Sequence, residues 1–303
     1  MRFDDYRTSD NVRDDGDGGG GGGGGLGFGG GGGLFPMLFG IVASRFGIGG
    51  IVVLVIAALL FGGHPMQMLG GSNALPDRPA PTARSAATAC ASSPEKKFSC
   101  QILASTEDTW GKIFAQQGKR YEPTELVFYT NRDSSGCGAA QSAMGPFYCP
   151  TDKDVYLDTS FYDELKTRFG APGQFAQAYV VAHEVGHHVQ DLLGILPQVS
   201  AQQRQLSTRD ANALQVKVEL QADCFAGVWA AQNRDRLDPG DVEGGLKAAH
   251  AIGDDTLQQE AQGRVVPDSF THGSSAERMK WLKRGIDSGD PNQCDTFQVG
   301  ADG

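Results

Sequence analysis

His183, Glu184 and His187 are the residues of this chain best spaced to do chemistry. In a helix, positions four apart differ by about 40° around the axis and lie one turn apart. The run His183-Glu184-Val185-Gly186-His187 therefore sets two imidazoles on one face, within reach of a single ion. Glu184, roughly 100° round, flanks that ion without having to ligate it. Metal-assisted amide hydrolysis needs those parts: two neutral nitrogen ligands and a carboxylate base beside an activated water. The flanking residues support a helix. Phe175, Tyr179, Ala182, Val185, Val189 and Leu192 recur with helical spacing, and Gly194 and Pro197 supply stop signals.

A hydrolytic zinc site takes three protein ligands and keeps a fourth position open. A metzincin would draw the third from a later His on the same helix, after a Gly. Gln190 and Leu193 occupy those positions, which excludes that class. Glu219 is the candidate instead, in a second helical run from about Asp210 to Asn233 that Asp238-Pro239-Gly240 ends. Asp223 follows four residues later on the same face, placed to accept the spare ring N–H of a ligand His and fix its tautomer. The same pair also suits a plain acidic helix face, and Asp191, one turn past His187, is a rival ligand. For the developing oxyanion the candidate donor is His272, with Arg278 second. That segment also reads as a helix start, with Ser274 or Ser275 as N-cap and Glu277 in the first turn. His188 and His250 read as structural or exposed, and His64 flanks an apolar run.

The elements that must position these residues occupy only part of the chain. Residues 1–33 are polar and then almost pure glycine, which reads as a disordered tail. No strand precedes the glycines and no Lys-Ser/Thr follows, so a phosphate-binding loop is rejected. Residues 34–63 form a membrane segment whose uncharged core, Phe46 to Gly63, spans about 27 Å as a helix, enough for one crossing. Arg45 just before it favours an N-terminus inside and the C-terminal part outside. Residues 64–95 are rich in Pro, Ala, Ser and Gly, a linker. The globular domain is then residues 96–303. It should open with a helix from about Pro94 to Gln117, with strands at Glu125–Thr130, Gly145–Cys149 and Asp154–Leu157. Nearly everything after Ser160 reads as helix, giving an α+β class: a small β-sheet followed by a mainly helical domain, preceded by one transmembrane helix.

All six cysteines follow the apolar run, which fits disulfides in an oxidising compartment. The favoured pairs are Cys137–Cys149, Cys224–Cys294 and Cys90–Cys100, with a buried free thiol at Cys224 as the alternative. No CxxC is present, so a cysteine zinc site is not expected. The net charge is −10, with 36 acidic against 26 basic residues and no basic stripe, which argues against nucleic-acid binding.

The blocks His183–His188 (HEVGHH), Glu219–Gly227 (ELQADCFAG) and Gly263–Gly273 (GRVVPDSFTHG) resemble the bacterial putative neutral zinc metallopeptidase family, as does the start from Met1-Arg2-Phe3 to Ser9-Asp10-Asn11-Val12. The resemblance implies a membrane-anchored, zincin-like peptidase with a gluzincin-like site: one zinc ion on His183, His187 and Glu219, and Glu184 as base. It also implies an edge strand, at Gln141–Tyr148, that pairs with extended substrate. The expectation is a zinc metalloendopeptidase acting on peptide or protein substrates, on the periplasmic or extracellular side of a bacterial inner membrane. A zinc-stabilised scaffold, or a zinc hydrolase of cell-wall or other non-peptide amides, would use the same residues.

Overall fold

The computed structural model describes residues 1–17 and 85–298. Strand β1 (Val12–Asp17) opens the chain, followed by helices α1 (Ala86–Cys90) and α2 (Pro94–Gln116). Strands β2 (Glu125–Thr130), β3 (Arg132–Ser135), β4 (Gly138–Gln141), β5 (Phe147–Cys149) and β6 (Asp154–Leu157) come next. The rest is helical: α3 (Phe161–Thr167), α4 (Gln174–Leu192), α5 (Ile195–Gln203), α6 (Thr208–Gln232), α7 (Asp241–Ala251), α8 (Asp254–Gln262) and α9 (Ser275–Ser288). This is the α+β arrangement the sequence implies.

Four strands form one sheet in the order β1-β2-β6-β5, with β1, β2 and β6 parallel and β5 antiparallel at the edge. Alternation along β2 and β6 separates two faces. Leu126, Phe128, Val155 and Leu157 join the main core, while Val127, Tyr129 and Tyr156 pack a smaller cluster with Ala140 and Cys149. The main core centres on Trp110 of α2, Phe175 and Tyr179 of α4, and Phe225 and Trp229 of α6, all at most 3% exposed. β3 and β4 make a separate antiparallel hairpin, which carries Cys137 at its turn. The three disulfides are the expected ones: Cys90–Cys100, Cys137–Cys149 and Cys224–Cys294.

Two expected boundaries are corrected. Residues 1–17 are not part of a disordered tail. Phe3 is 1% exposed and lies against Trp229, and Val12–Asp17 pairs in parallel with Leu126–Thr130. Asp14, buried in this strand, is held by Lys96 Nζ at 2.8 Å. Nor does the globular domain begin at residue 96. Ala89 and Cys90 of α1 are buried, and the Cys90–Cys100 bridge ties them to α2. Pro197 does not keep the chain from being helical either. Gly194, at φ 77°, ends α4 in the left-handed region, and α5 starts at once. Pro197 falls in its first turn, where a missing N–H costs little.

The expected membrane helix at 46–63 and the glycine run from residue 18 lie outside the described residues, and no described helix is long and apolar enough to cross a membrane. The sheet nevertheless constrains sidedness. β1 and β2 are hydrogen-bonded neighbours, so residues 12–17 and 125–130 share one side of any bilayer. One crossing between them, with the N-terminus inside and the domain outside, is incompatible with this sheet. Single cysteines placed at two exposed positions, Asp10→Cys and Lys283→Cys, should therefore react alike with a membrane-impermeant maleimide on intact cells. Labelling of one and protection of the other would contradict the pairing.

Candidate metal centre

α4 presents His183, Glu184 and His187, and α6 presents Glu219 and Asp223. The close approach of these helices explains the glycine inside the motif. A Cβ on Gly186 would stand 3.0 Å from the Ala222 carbonyl oxygen and 3.2 Å from its Cα. Glycine costs a helix interior about 1 kcal/mol relative to Ala, and here it admits the neighbouring backbone.

The three expected ligands converge. His183 Nε2 lies 3.2 Å from Glu219 Oε2 and 3.2 Å from His187 Nε2, and His187 Nε2 lies 3.4 Å from the same carboxylate oxygen. Donors about 2.05 Å from a tetrahedral zinc stand roughly 3.3 Å apart, so this triangle has the size of one face of a zinc tetrahedron. Among the described residues these are the only three His, Cys, Asp or Glu side chains grouped closely enough to hold a metal ion. Glu219 is steered by Gln215, whose Nε2 donates to Oε1 at 3.0 Å and leaves Oε2 for the histidines. Burial opposes ionisation of Glu219, but His187 and His183 outweigh it and hold the carboxyl well below the ordinary carboxylate range.

Asp223 does what its spacing implies and more. Its Oδ1 accepts from His183 Nδ1 at 2.9 Å, from the Tyr179 hydroxyl at 2.5 Å and from Arg278 Nη2 at 2.9 Å. Its Oδ2 accepts from Arg278 Nε at 2.9 Å. The carboxylate is fully buried, which would raise its pKa, yet Arg278 and His183 lower it to about 2. His183 feels the converse: burial disfavours its charged form, but Asp223 and Glu219 raise the ring to about 10. Arg278, 3% exposed, also donates to the Ile252 carbonyl at 3.2 Å. Spent on these partners, it is not the oxyanion donor that was second choice, but the clamp that holds Asp223. α9 can come this close because Gly227 of α6 and Gly285 of α9 each face the other helix's backbone.

The remaining candidates separate. His272 precedes α9, whose start carries the expected capping box of Ser274 and Glu277. Its ring is 51% exposed, with Nδ1 3.2 Å from Asp254 Oδ1. Asp254 Oδ2 also accepts the backbone N–H groups of Thr271, His272 and Gly273 at 2.6, 2.6 and 3.1 Å, which fixes this loop. His272 and Glu219 lie near enough to shift each other's titration, so the ring borders the centre without joining it. Asp191, the rival ligand, points elsewhere: its Oδ2 is 3.0 Å from the Tyr148 hydroxyl. His188 is structural, with Nε2 donating to the Glu122 carbonyl at 2.6 Å and Nδ1 3.1 Å from Tyr148. Both residues thus tie the metal helix to β5, the edge strand. That strand is Phe147–Cys149, shorter than the expected Gln141–Tyr148, because Ser142–Met144 forms a 3₁₀ turn. His250 is exposed, and His64 lies outside the described residues. Gln190 and Gln215 hold His187 and Glu219, roles the sequence does not announce; Gln190 enters it only as a departure from the metzincin pattern, and the one signal of either role is a position one turn from a ligand.

A helix-borne His-Glu-x-x-His closed by a carboxylate from a second helix is a metal centre of the zinc-peptidase kind. The family of putative neutral zinc metallopeptidases matches residues 1–297, and the chain belongs to it. It is 52% identical to the uncharacterized protein YpfJ of Escherichia coli (strain K12) over 257 residues, covering 83% of this chain and 87% of that one. It is 41% identical to the uncharacterized protein Rv2575 of Mycobacterium tuberculosis (strain ATCC 25618 / H37Rv) over 216 residues, covering 66% and 71% respectively. Comparison with solved structures gives no significant match.

The titration of the centre has a measurable sign. The pKa of His183 is raised from 6.5 to about 10 on folding, so its share of stability is complete below about 6.5 and lost as pH rises through 10. Denaturant unfolding of the metal-free protein should therefore show stability falling between about pH 6.5 and 10. Saturating zinc, which replaces the proton on Nε2, should flatten that fall. An unchanged alkaline slope with zinc would contradict the ligand assignment.

Proposed function

We propose that the protein is a zinc-dependent endopeptidase in which His183, His187 and Glu219 hold the ion and Glu184 is the general base. One observation carries the reading. Three donor atoms 3.2–3.4 Å apart form a zinc-sized triangle, and the buried Glu184 follows the first ligand directly on the same helix. Bound there, zinc supplies a Lewis acid for a peptide carbonyl and lowers the pKa of a coordinated water toward 7.

The chain's own residues supply the rest. Glu184, adjacent to His183 and 8% exposed, takes the proton of the attacking water and delivers it to the leaving amine. A structural metal site has no use for such a base, which weighs against a scaffold. His272, with Nδ1 anchored on Asp254, offers Nε2 to the developing oxyanion. Partial desolvation opposes protonation of this half-exposed ring, but Asp254 and Glu219 raise its pKa and favour the form that can donate. Among the described residues no strand pairs with the outer edge of β5, and Tyr148 on it is held by Asp191 and His188 of the metal helix. An extended peptide that adds to this edge would lie along the metal centre. Three disulfides support work in an oxidising compartment outside the cytoplasm. Attachment to a membrane through the apolar run of residues 46–63, entering and leaving on one side as the β1–β2 pairing requires, belongs to the same proposal.

The test uses the full chain, since residues 1–17 complete the sheet. Wild type, Glu184→Gln and His272→Ala, each loaded with zinc, are incubated with a diverse peptide mixture, and new termini are read by mass spectrometry. Wild type should cut, and chelator should stop it. Glu184→Gln should keep its zinc and lose essentially all cutting, while His272→Ala should keep its zinc and lose about 10²–10³-fold in kcat. Equal zinc without peptide cleavage by wild type would overturn the reading in favour of a non-peptide amide or a scaffold.

A further inference from the structure

His183 and His187 turn their Nε2 atoms to the same point, so each needs its Nδ1 side fixed. Asp223 serves His183. His187 Nδ1 lies 2.9 Å from Gln190 Oε1, and we propose that Gln190 is the positioning residue that sets the tautomer and orientation of His187 for metal binding. The inference rests on the zinc reading above.

The direction of every hydrogen bond here follows from groups that play one part only. Gln190 is fully buried, and its amide nitrogen lies 2.8 Å from the Val218 carbonyl oxygen. A carbonyl can only accept, so the NH₂ end of Gln190 must face it, and Oε1 must face His187. Oε1 in turn can only accept, so His187 carries its proton on Nδ1 and presents a lone pair at Nε2. The second N–H of Gln190 meets Gln221 Oε1 at 3.0 Å. Gln221, 5% exposed, cannot turn round, because its own Nε2 donates to the Cys294 carbonyl at 2.9 Å. Cys294 is bonded to Cys224 of α6, and Thr296 Oγ1 donates to the Lys217 carbonyl at 2.6 Å, which pins the C-terminal segment to the same helix. The relay thus starts at two fixed carbonyls and ends at a ligand nitrogen, with no ambiguous link.

A carboxamide also differs from a carboxylate in charge. The two histidines are held unequally, His183 by an anion that Arg278 compensates and His187 by a neutral group. A second carboxylate at this depth would add an uncompensated negative charge to the centre.

The experiment uses the full chain with its disulfides intact, stripped of metal and titrated with zinc against a chromophoric chelator. Cobalt(II) spectra of the same samples report the geometry of the ligand set. Gln190→Met keeps length and burial but removes the acceptor, and should weaken zinc binding 10–100-fold and alter the cobalt bands. Gln190→Glu adds an uncompensated charge but keeps an acceptor for His187, and its zinc affinity should fall between those of wild type and Gln190→Met. A purely structural role predicts the opposite order, since an apolar Met suits a buried site better than a charge does. Gln221→Met should cost less than Gln190→Met and add almost nothing to it in the double variant. Should Gln190→Met fail to fold, Gln221→Met carries the test, and zinc affinity equal to wild type would overturn the proposal. If wild type binds zinc tightly and Gln190→Met binds it equally well, only this inference falls. If wild type holds no zinc, the functional reading falls with it.

Discussion

The structure hangs on one buried anion. Asp223 has no solvent contact, and an unpaired carboxylate there would cost several kcal/mol. Four donors make it tolerable: the Tyr179 hydroxyl, His183 Nδ1, and Nε and Nη2 of Arg278. The donors come from α4 and α9 and Asp223 itself from α6, so satisfying the charge requires these three helices to meet at one point. The glycines at their contacts show how closely. Gly186 faces Ala222, and Gly227 and Gly285 bring α6 and α9 backbone to backbone. Glu219 sits one turn before Asp223, so the packing that buries the aspartate also delivers the glutamate to the histidines.

The sheet reaches the same centre by another route. His188 and Asp191 lie on α4 just beyond the ligand His187, and both reach Tyr148 on the edge strand. His272 arrives on a loop whose three successive N–H groups close on Asp254. Metal ligands therefore come from helices, the prospective peptide-binding edge from the sheet, and the prospective oxyanion donor from a loop. Each has its own hydrogen-bonded support.

What could be read from the sequence divides by range. His183, His187, Glu219 and Asp223 were legible because their chemistry repeats at four-residue spacing, a local property of a helix. The disulfide pairs were legible because Cys137–Cys149 closes the glycine-broken β region and Cys224–Cys294 ties α6 to the C-terminal segment, which leaves Cys90 for Cys100. β1 was not legible. Val12–Asp17 reads VRDDGD, without apolar alternation, and it pairs with a strand more than a hundred residues away. The hairpin β3–β4 likewise lacks an apolar face and leans on the Cys137–Cys149 bridge. Arg278 reads in the sequence as a second oxyanion donor, and only the crossing of α6 and α9 turns it onto Asp223 instead. Gln190 and Gln215 carry no charge to attract notice, and their role exists only once their partners are in place.

X-ray absorption at the zinc edge of the purified, zinc-loaded protein tests the central claim most directly. The account predicts one zinc per chain with two imidazole nitrogens at about 2.0–2.1 Å, carboxylate and water oxygens at about 2.0–2.2 Å, and no sulfur. A sulfur shell near 2.3 Å, fewer than two imidazoles, or a fourth protein ligand closing the site would contradict it.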